Sequence, residues 1–145
     1  MKKFVFTLDK VLDYNKMVYE RERNELSKLR SELRELEEQL HLLVLTLEEK
    51  SRTFKERMKI GVTVDELRQF QYLKENYEEQ IKETNRLITL KRIEVESQLR
   101  RVVTADQDVK KMEKLKENQL EEYMKADQKE NQEFILESVS RNLVK

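Results

Sequence analysis

A single glycine, Gly61, separates two long heptad runs in a chain without proline. Thr63-Val64-Asp65-Glu66 follows it at once, and the spacing of Thr63 and Glu66 predicts a capping box that starts a new helix. Val62 and Leu67 stand at the positions of a hydrophobic staple around that cap. Before the glycine, Lys55, Arg57 and Lys59 gather where cations favour a helix C-terminus, and Gly61 is free to take the left-handed conformation that stops it. One helix end and the next helix start therefore lie within about four residues, a loop length that joins antiparallel neighbours. The expectation is an all-α fold, a long two-helix antiparallel coiled-coil hairpin with a C-terminal helical overhang. Its first helix is expected over about 8–59, its turn over about 60–63 and its second helix over about 64–140, all in one elongated hairpin over 1–145.

The heptads predict the seam. Leu26, Leu33, Leu40, Leu47 and Phe54 recur at every seventh residue, with Leu29, Leu36 and Leu43 at the second core position and Lys50 breaking that second series. In the second run Leu67, Ile81, Ile88, Val95, Val102 and Val109 share one frame, and Phe70, Tyr77, Ala105 and Met112 supply the other. Lys74, Thr84, Lys91 and Gln98 interrupt it. Such patterning with charged flanks is the mark of a coiled coil, here a weakly apolar one.

Composition agrees. With 41% charged residues the chain lacks the material for a thick core, while 37% hydrophobic residues suffice for one seam per helix, which implies a thin rod. Thirty basic and thirty acidic residues cancel, so no global field draws in nucleic acid or an anionic membrane. There is no cysteine for disulfides or thiolate ligands. Met1-Lys2-Lys3-Phe4-Val5-Phe6 opens like a signal peptide, but Thr7 and Asp9 cut the apolar stretch short. No run reaches the roughly twenty apolar residues of a membrane span, so a cytoplasmic location is the default expectation.

Pairing about the turn sets Leu8 near Leu115 and leaves residues from about Asn118 onward without a partner in the chain. This overhang is acidic, yet it carries Leu120, Tyr123, Met124, Phe134, Ile135, Leu136, Val139 and Leu143. A lone helix with an apolar stripe is marginal in water, so it is expected to fray, self-associate or insert into something.

The residues offer no catalytic constellation. His41 is the sole histidine and has no second soft ligand for a transition metal. Glu37-Glu38 and Glu48-Glu49 read as solvated helix faces with i,i+4 ion pairs rather than as paired catalytic carboxylates. One glycine cannot make a phosphate loop. We therefore expect no catalytic residues, no cofactor and no metal. Arg100-Arg101, Lys110-Lys111, Lys114 and Lys116 make a basic stretch without aromatic residues to stack bases, which fits an acidic protein surface or the opposite helix better than nucleic acid. Phe70 and Tyr77 sit at core spacing, whereas Tyr72 falls off the seam.

Three stretches carry a family resemblance: Lys3-Phe4-Val5-Phe6-Thr7-Leu8-Asp9-Lys10-Val11-Leu12-Asp13-Tyr14 at the start, Asp65-Glu66-Leu67-Arg68-Gln69-Phe70-Gln71-Tyr72 through Ile81 after the turn, and Met112-Glu113-Lys114-Leu115-Lys116 through Tyr123 and Gln128-Lys129-Glu130. Together they resemble the flagellar export protein FliJ over nearly the whole chain. The resemblance implies a soluble, non-enzymatic component of a flagellar type III export apparatus, peripheral at the inner face of the cell membrane. It implies a coiled coil similar to a rotary-ATPase stalk that binds the export ATPase and promotes its ring assembly, and that engages the export-gate cytoplasmic domain and substrate chaperones. By position, the gate contact falls on Gln39, Leu43, Thr46 and Lys50 and on Leu73, Tyr77, Gln80 and Thr84. Phe134, Ile135, Leu136 and Val139 are the candidates for the ATPase contact. Membrane association is implied only through the apparatus. The residues alone leave open an injectisome-type or rotary-ATPase stalk protein, and a generic structural coiled coil that dimerises through its overhang.

Overall fold

Gly61 ends the first helix with φ of +123°, and its amide donates to the Arg57 carbonyl at 3.0 Å. A Cβ placed on it would touch nothing within 4 Å, so glycine is needed for backbone conformation and not for space. In this computed structural model, which describes residues 2–144, the helices on either side are α1 (Asp9–Ile60) and α2 (Val64–Val144). The fold is an all-α helical hairpin, with no strand among the described residues. No helix among them is long and apolar enough to cross a membrane.

Half of the expected capping box is present. The Thr63 hydroxyl accepts from the Glu66 amide at 3.2 Å, and the Thr63 carbonyl accepts from the Leu67 amide at 3.1 Å. The returning Glu66 carboxylate does not close the box: it accepts from the Arg57 guanidinium at 3.3 Å, across the turn. A charged donor on the last turn of α1 is the stronger partner for a carboxylate than a neutral amide.

The chain forms two compact units. The unit Arg23–Arg100 holds the turn and the helix stretches on either side of it. Its seam follows the heptads: Leu26, Phe54 and Ile88 are buried, and most of the remaining a and d positions are half-buried because each helix has one neighbour only. Phe54 and Phe70 stack with ring centroids 4.1 Å apart and planes within 8°. Leu67 departs from the expectation by staying exposed, with Val62 and Glu66 half-buried beside the cap instead. The polar positions do not leave the seam. Thr84 and Gln98 are buried in it and Lys74 and Lys91 half-buried, since a 3,4 spacing keeps them facing α1 whatever their chemistry. Thr84 satisfies its hydroxyl by donating to the Gln80 carbonyl at 2.8 Å, and no buried side-chain polar atom among the described residues lacks a partner.

The other unit combines Met1–Glu22 with Arg101–Lys145. Its core is Phe6, Leu12 and Val109, with Phe4, Leu8, Tyr19 and Met112 packed against it. Residues 2–6 are not helical, and they carry α1's side of the packing further along α2 than a helix would. Phe4 meets Tyr123 with centroids 5.5 Å apart, the Tyr123 hydroxyl donates to the Lys2 carbonyl, and Lys116 lies over the Phe6 ring and bonds Asp9 at 2.9 Å. The expectation that α2 is unpartnered from Asn118 is thereby corrected: Gln119, Tyr123 and Asp127 are half-buried, and full exposure begins at Gln128. The physical reason is reach, because extended backbone advances about twice as far per residue as helix.

Three substitutions test these contributions to stability. Thr63→Ala is expected to lower unfolding free energy by about 1 kcal/mol, and Gly61→Ala by roughly 1–2 kcal/mol, in urea melts followed by circular dichroism. Phe6→Ala truncates the largest buried side chain of its unit and is expected to cost about 3 kcal/mol, with amide exchange accelerated over residues 109–123 and little changed near the turn.

Candidate functional site: grooves beside the turn

Two helices that bury one seam leave an open groove along each flank, and in the unit Arg23–Arg100 one flank is lined by a distinct set of side chains. Gln39, Leu43 and Thr46 of α1 and Tyr77, Gln80 and Thr84 of α2 share one groove with Leu42 and Glu83. Thr46 continues into the next groove towards the turn, where Lys50 and Leu73 join Phe54, Phe70, Arg57 and Glu66. The structure thus brings all eight positions assigned to the gate contact onto one continuous flank. Leu43, Tyr77 and Thr84 contribute to the seam as well, which makes them the floor, while the exposed Gln39, Gln80 and Lys50 form the rim.

Lys50 breaks the heptad without breaking the packing. Its ammonium group sits 5.4 Å from the centre of the Tyr77 ring, which offers a cation the negative face of an aromatic system. Glu83 on the rim is bound by Arg86 at 2.6 Å; that hydrogen bond, helped by the guanidinium charge, holds the carboxyl below its ordinary pKa and raises that of Arg86. Farther from the turn, Lys91 reaches from the seam to Glu32 at 2.9 Å and to Glu94 at 3.3 Å. The bond from Lys91 lowers the Glu32 pKa against a smaller opposing effect of burial, and the bond to Glu32 raises that of Lys91.

Nothing in either groove resembles a reaction centre, and His41 is exposed away from them. The arrangement suits binding of protein: an apolar floor with stacked rings, amide and hydroxyl side chains on the rim, and charges already held in place.

Residues 4–142 match the family model of the flagellar FliJ protein. The chain belongs to the FliJ family. No curated protein and no solved structure matches it. Membership makes this FliJ chain a component of the flagellar export apparatus, in a family that is structural and not catalytic.

The ATPase-contact candidates lie in the unit that contains the end of α2. Phe134, Ile135, Leu136 and Val139 are all exposed. At about 100° per residue, Ile135, Leu136, Val139 and Leu143 form one stripe, continued backwards by Met124, whereas Phe134 projects about 140° away from Val139. The basic stretch is partly answered from within the chain: Lys110 bonds Asp106 at 2.8 Å, which raises the lysine's pKa, and Lys116 bonds Asp9.

Sequence reading missed Phe4 and Phe6 as core. Their signal was present as a period of two, Phe4, Phe6 and Leu8 alternating with exposed Val5 and Thr7, as in an extended segment with one buried face.

The Lys91–Glu32 bridge gives a pH dependence. A lowered Glu32 pKa contributes stability above its unfolded-state value, lost as pH falls through the folded-state value. The raised Lys91 pKa contributes below its unfolded-state value, lost as pH rises through the folded-state value. The difference in urea midpoint between the native chain and Lys91→Met is therefore expected to be larger at pH 7 than at pH 3.

Proposed function

We propose that this FliJ chain acts in flagellar export as a non-catalytic coupling element that binds the export ATPase, promotes its ring assembly and engages the export-gate cytoplasmic domain, with substrate chaperones as further partners. The observation that carries the gate contact is the convergence of eight positions, separated by up to 45 residues in sequence, on one flank beside the turn. The floor of Leu43, Leu73 and Tyr77 takes apolar side chains of the gate, and the Gln39 and Gln80 amides orient them. The exposed stripe of Ile135, Leu136 and Val139 is the ATPase contact, with Phe134 contributing from a different face of the same turn. A ring that touches this stripe at more points than a free subunit does is favoured by mass action, so the chain shifts subunits towards the ring without chemistry of its own. Its place at the inner face of the cell membrane follows from these partners.

Light scattering of an equimolar mixture with the export ATPase of the same genome, with nucleotide, is expected to give ring-sized complexes. Ile135→Asp with Val139→Asp is expected to abolish them without altering helicity, as both side chains are exposed. Gln39→Lys with Gln80→Lys is expected to weaken binding of the export-gate cytoplasmic domain by about tenfold, or about 1.4 kcal/mol, and to leave ring formation intact. Unchanged ring assembly in the first variant or unchanged gate affinity in the second would count against the corresponding contact.

A further inference from the structure

The flank that holds the eight positions does not end at Gln39. That side chain also lines a third groove, with Leu36, Leu87, Leu90 and Lys91, in the same unit. Leu42, Leu87 and Leu90 are 62%, 38% and 46% exposed, and none of them belongs to a seam position. They are apolar groups that two helices cannot bury between them. The three grooves are centred about seven to nine residues apart along α1, or about 10–13 Å at the helical rise, which is close to the distance from i to i+7 on a neighbouring helix. The interval is set by the heptads of α1 and α2 themselves, and an amphipathic helix of the same period is the kind of segment whose side chains match it along the flank.

Charge selects the helix. Glu32, Glu35, Glu49, Glu66, Glu83 and Glu94 line the three grooves against Lys50, Arg57 and Lys91. All three cations are engaged, Lys91 by Glu32 and Glu94, Arg57 by Glu66 and Lys50 on the Tyr77 ring. Arg86 answers Glu83 from outside the grooves, so the surplus of negative charge rests on Glu35 and Glu49 of α1 and on the second of the two carboxylates that share Lys91. The C-terminal stretch of α2 in a second copy is a poor occupant, because residues 117–144 carry seven acidic and three basic side chains.

We propose that this flank, from the Phe54–Phe70 stack to Leu87 and Leu90, receives one amphipathic helix of the export-gate cytoplasmic domain, with apolar residues recurring about every seventh position and Lys or Arg along its edges. The inference rests on the gate reading above and adds the form of the bound segment, its charge and the third groove. The guest completes a local three-helix arrangement in which its apolar side chains enter the three grooves in turn.

The test uses the full chain and the export-gate cytoplasmic domain of the same genome, by titration calorimetry and by hydrogen exchange on the gate domain. Leu87→Lys with Leu90→Lys is expected to weaken binding at least tenfold. Leu99→Lys, comparably exposed but lining none of the three grooves, is expected to change it less than twofold, and circular dichroism verifies that each variant stays helical. Affinity is expected to fall as salt rises, and protection in the gate domain to cover one contiguous segment of about twenty residues with basic edges. If the Leu87 and Leu90 variant binds like the native chain while Gln39→Lys with Gln80→Lys does not, the gate contact stands and the third groove and long helix are overturned. Protection scattered over separate loops overturns the helix in the same way. A native chain that fails to bind the gate domain overturns the gate reading, and this inference with it.

Discussion

A helix with one neighbour can bury one stripe, and this limit governs each unit of the structure. It explains why few side chains are buried, why seam leucines keep part of their surface in water, and why polar residues are tolerated at core spacing. In a thick core, Lys91 would need full desolvation; in a seam its ammonium group swings to the edge and finds Glu32 and Glu94 there, while its stem covers apolar surface. Thr84 uses its own helix backbone. The polar seam residues cost packing energy but cap the affinity of the two stretches for further copies of themselves, a common way to specify a small assembly.

The same limit leaves apolar groups over, and these are where function is read. Leu42, Leu87 and Leu90 on one flank, and Ile135, Leu136 and Val139 on α2, are surplus to the packing of their own units. Surplus of this kind is unfavourable in a protein that works alone and useful in one that works by touching others. The rims differ as well. Beside the turn they combine amide side chains with carboxylates, whereas residues 117–144 of α2 carry seven acidic side chains against three basic ones, so the two surfaces differ in chemistry.

The hairpin, its turn and most of its seam were legible in sequence because each rests on local rules: a glycine where φ is positive, a hydroxyl three residues before a glutamate, and apolar residues at spacings of three and four. The groove floor beside the turn was legible only through family resemblance, since periodicity alone cannot tell a tyrosine that packs in the seam from one that lines a groove, and Tyr77 does both. The partner of Glu66 was not legible, because the choice between the cap amide and Arg57 depends on how the chain doubles back. Phe4 and Phe6 were hidden by a reading tuned to helical periods, in which a short alternating segment looks like a leader and not like packing material.

That short segment has a consequence for how the chain comes to be folded. Contacts at the turn join residues nine apart, as Arg57 and Glu66 do, so the helix stretches of that unit meet as soon as the residues just past Gly61 exist. Lys2 and Tyr123 are 121 residues apart. At typical synthesis speeds of about 5–20 residues per second, Phe4 and Phe6 stay solvent-exposed for several seconds on the ribosome while their unit waits for its other half. Phe4 and Phe6 are thus covered only by residues made more than a hundred positions later, and in that interval they are open to trigger factors and proteases.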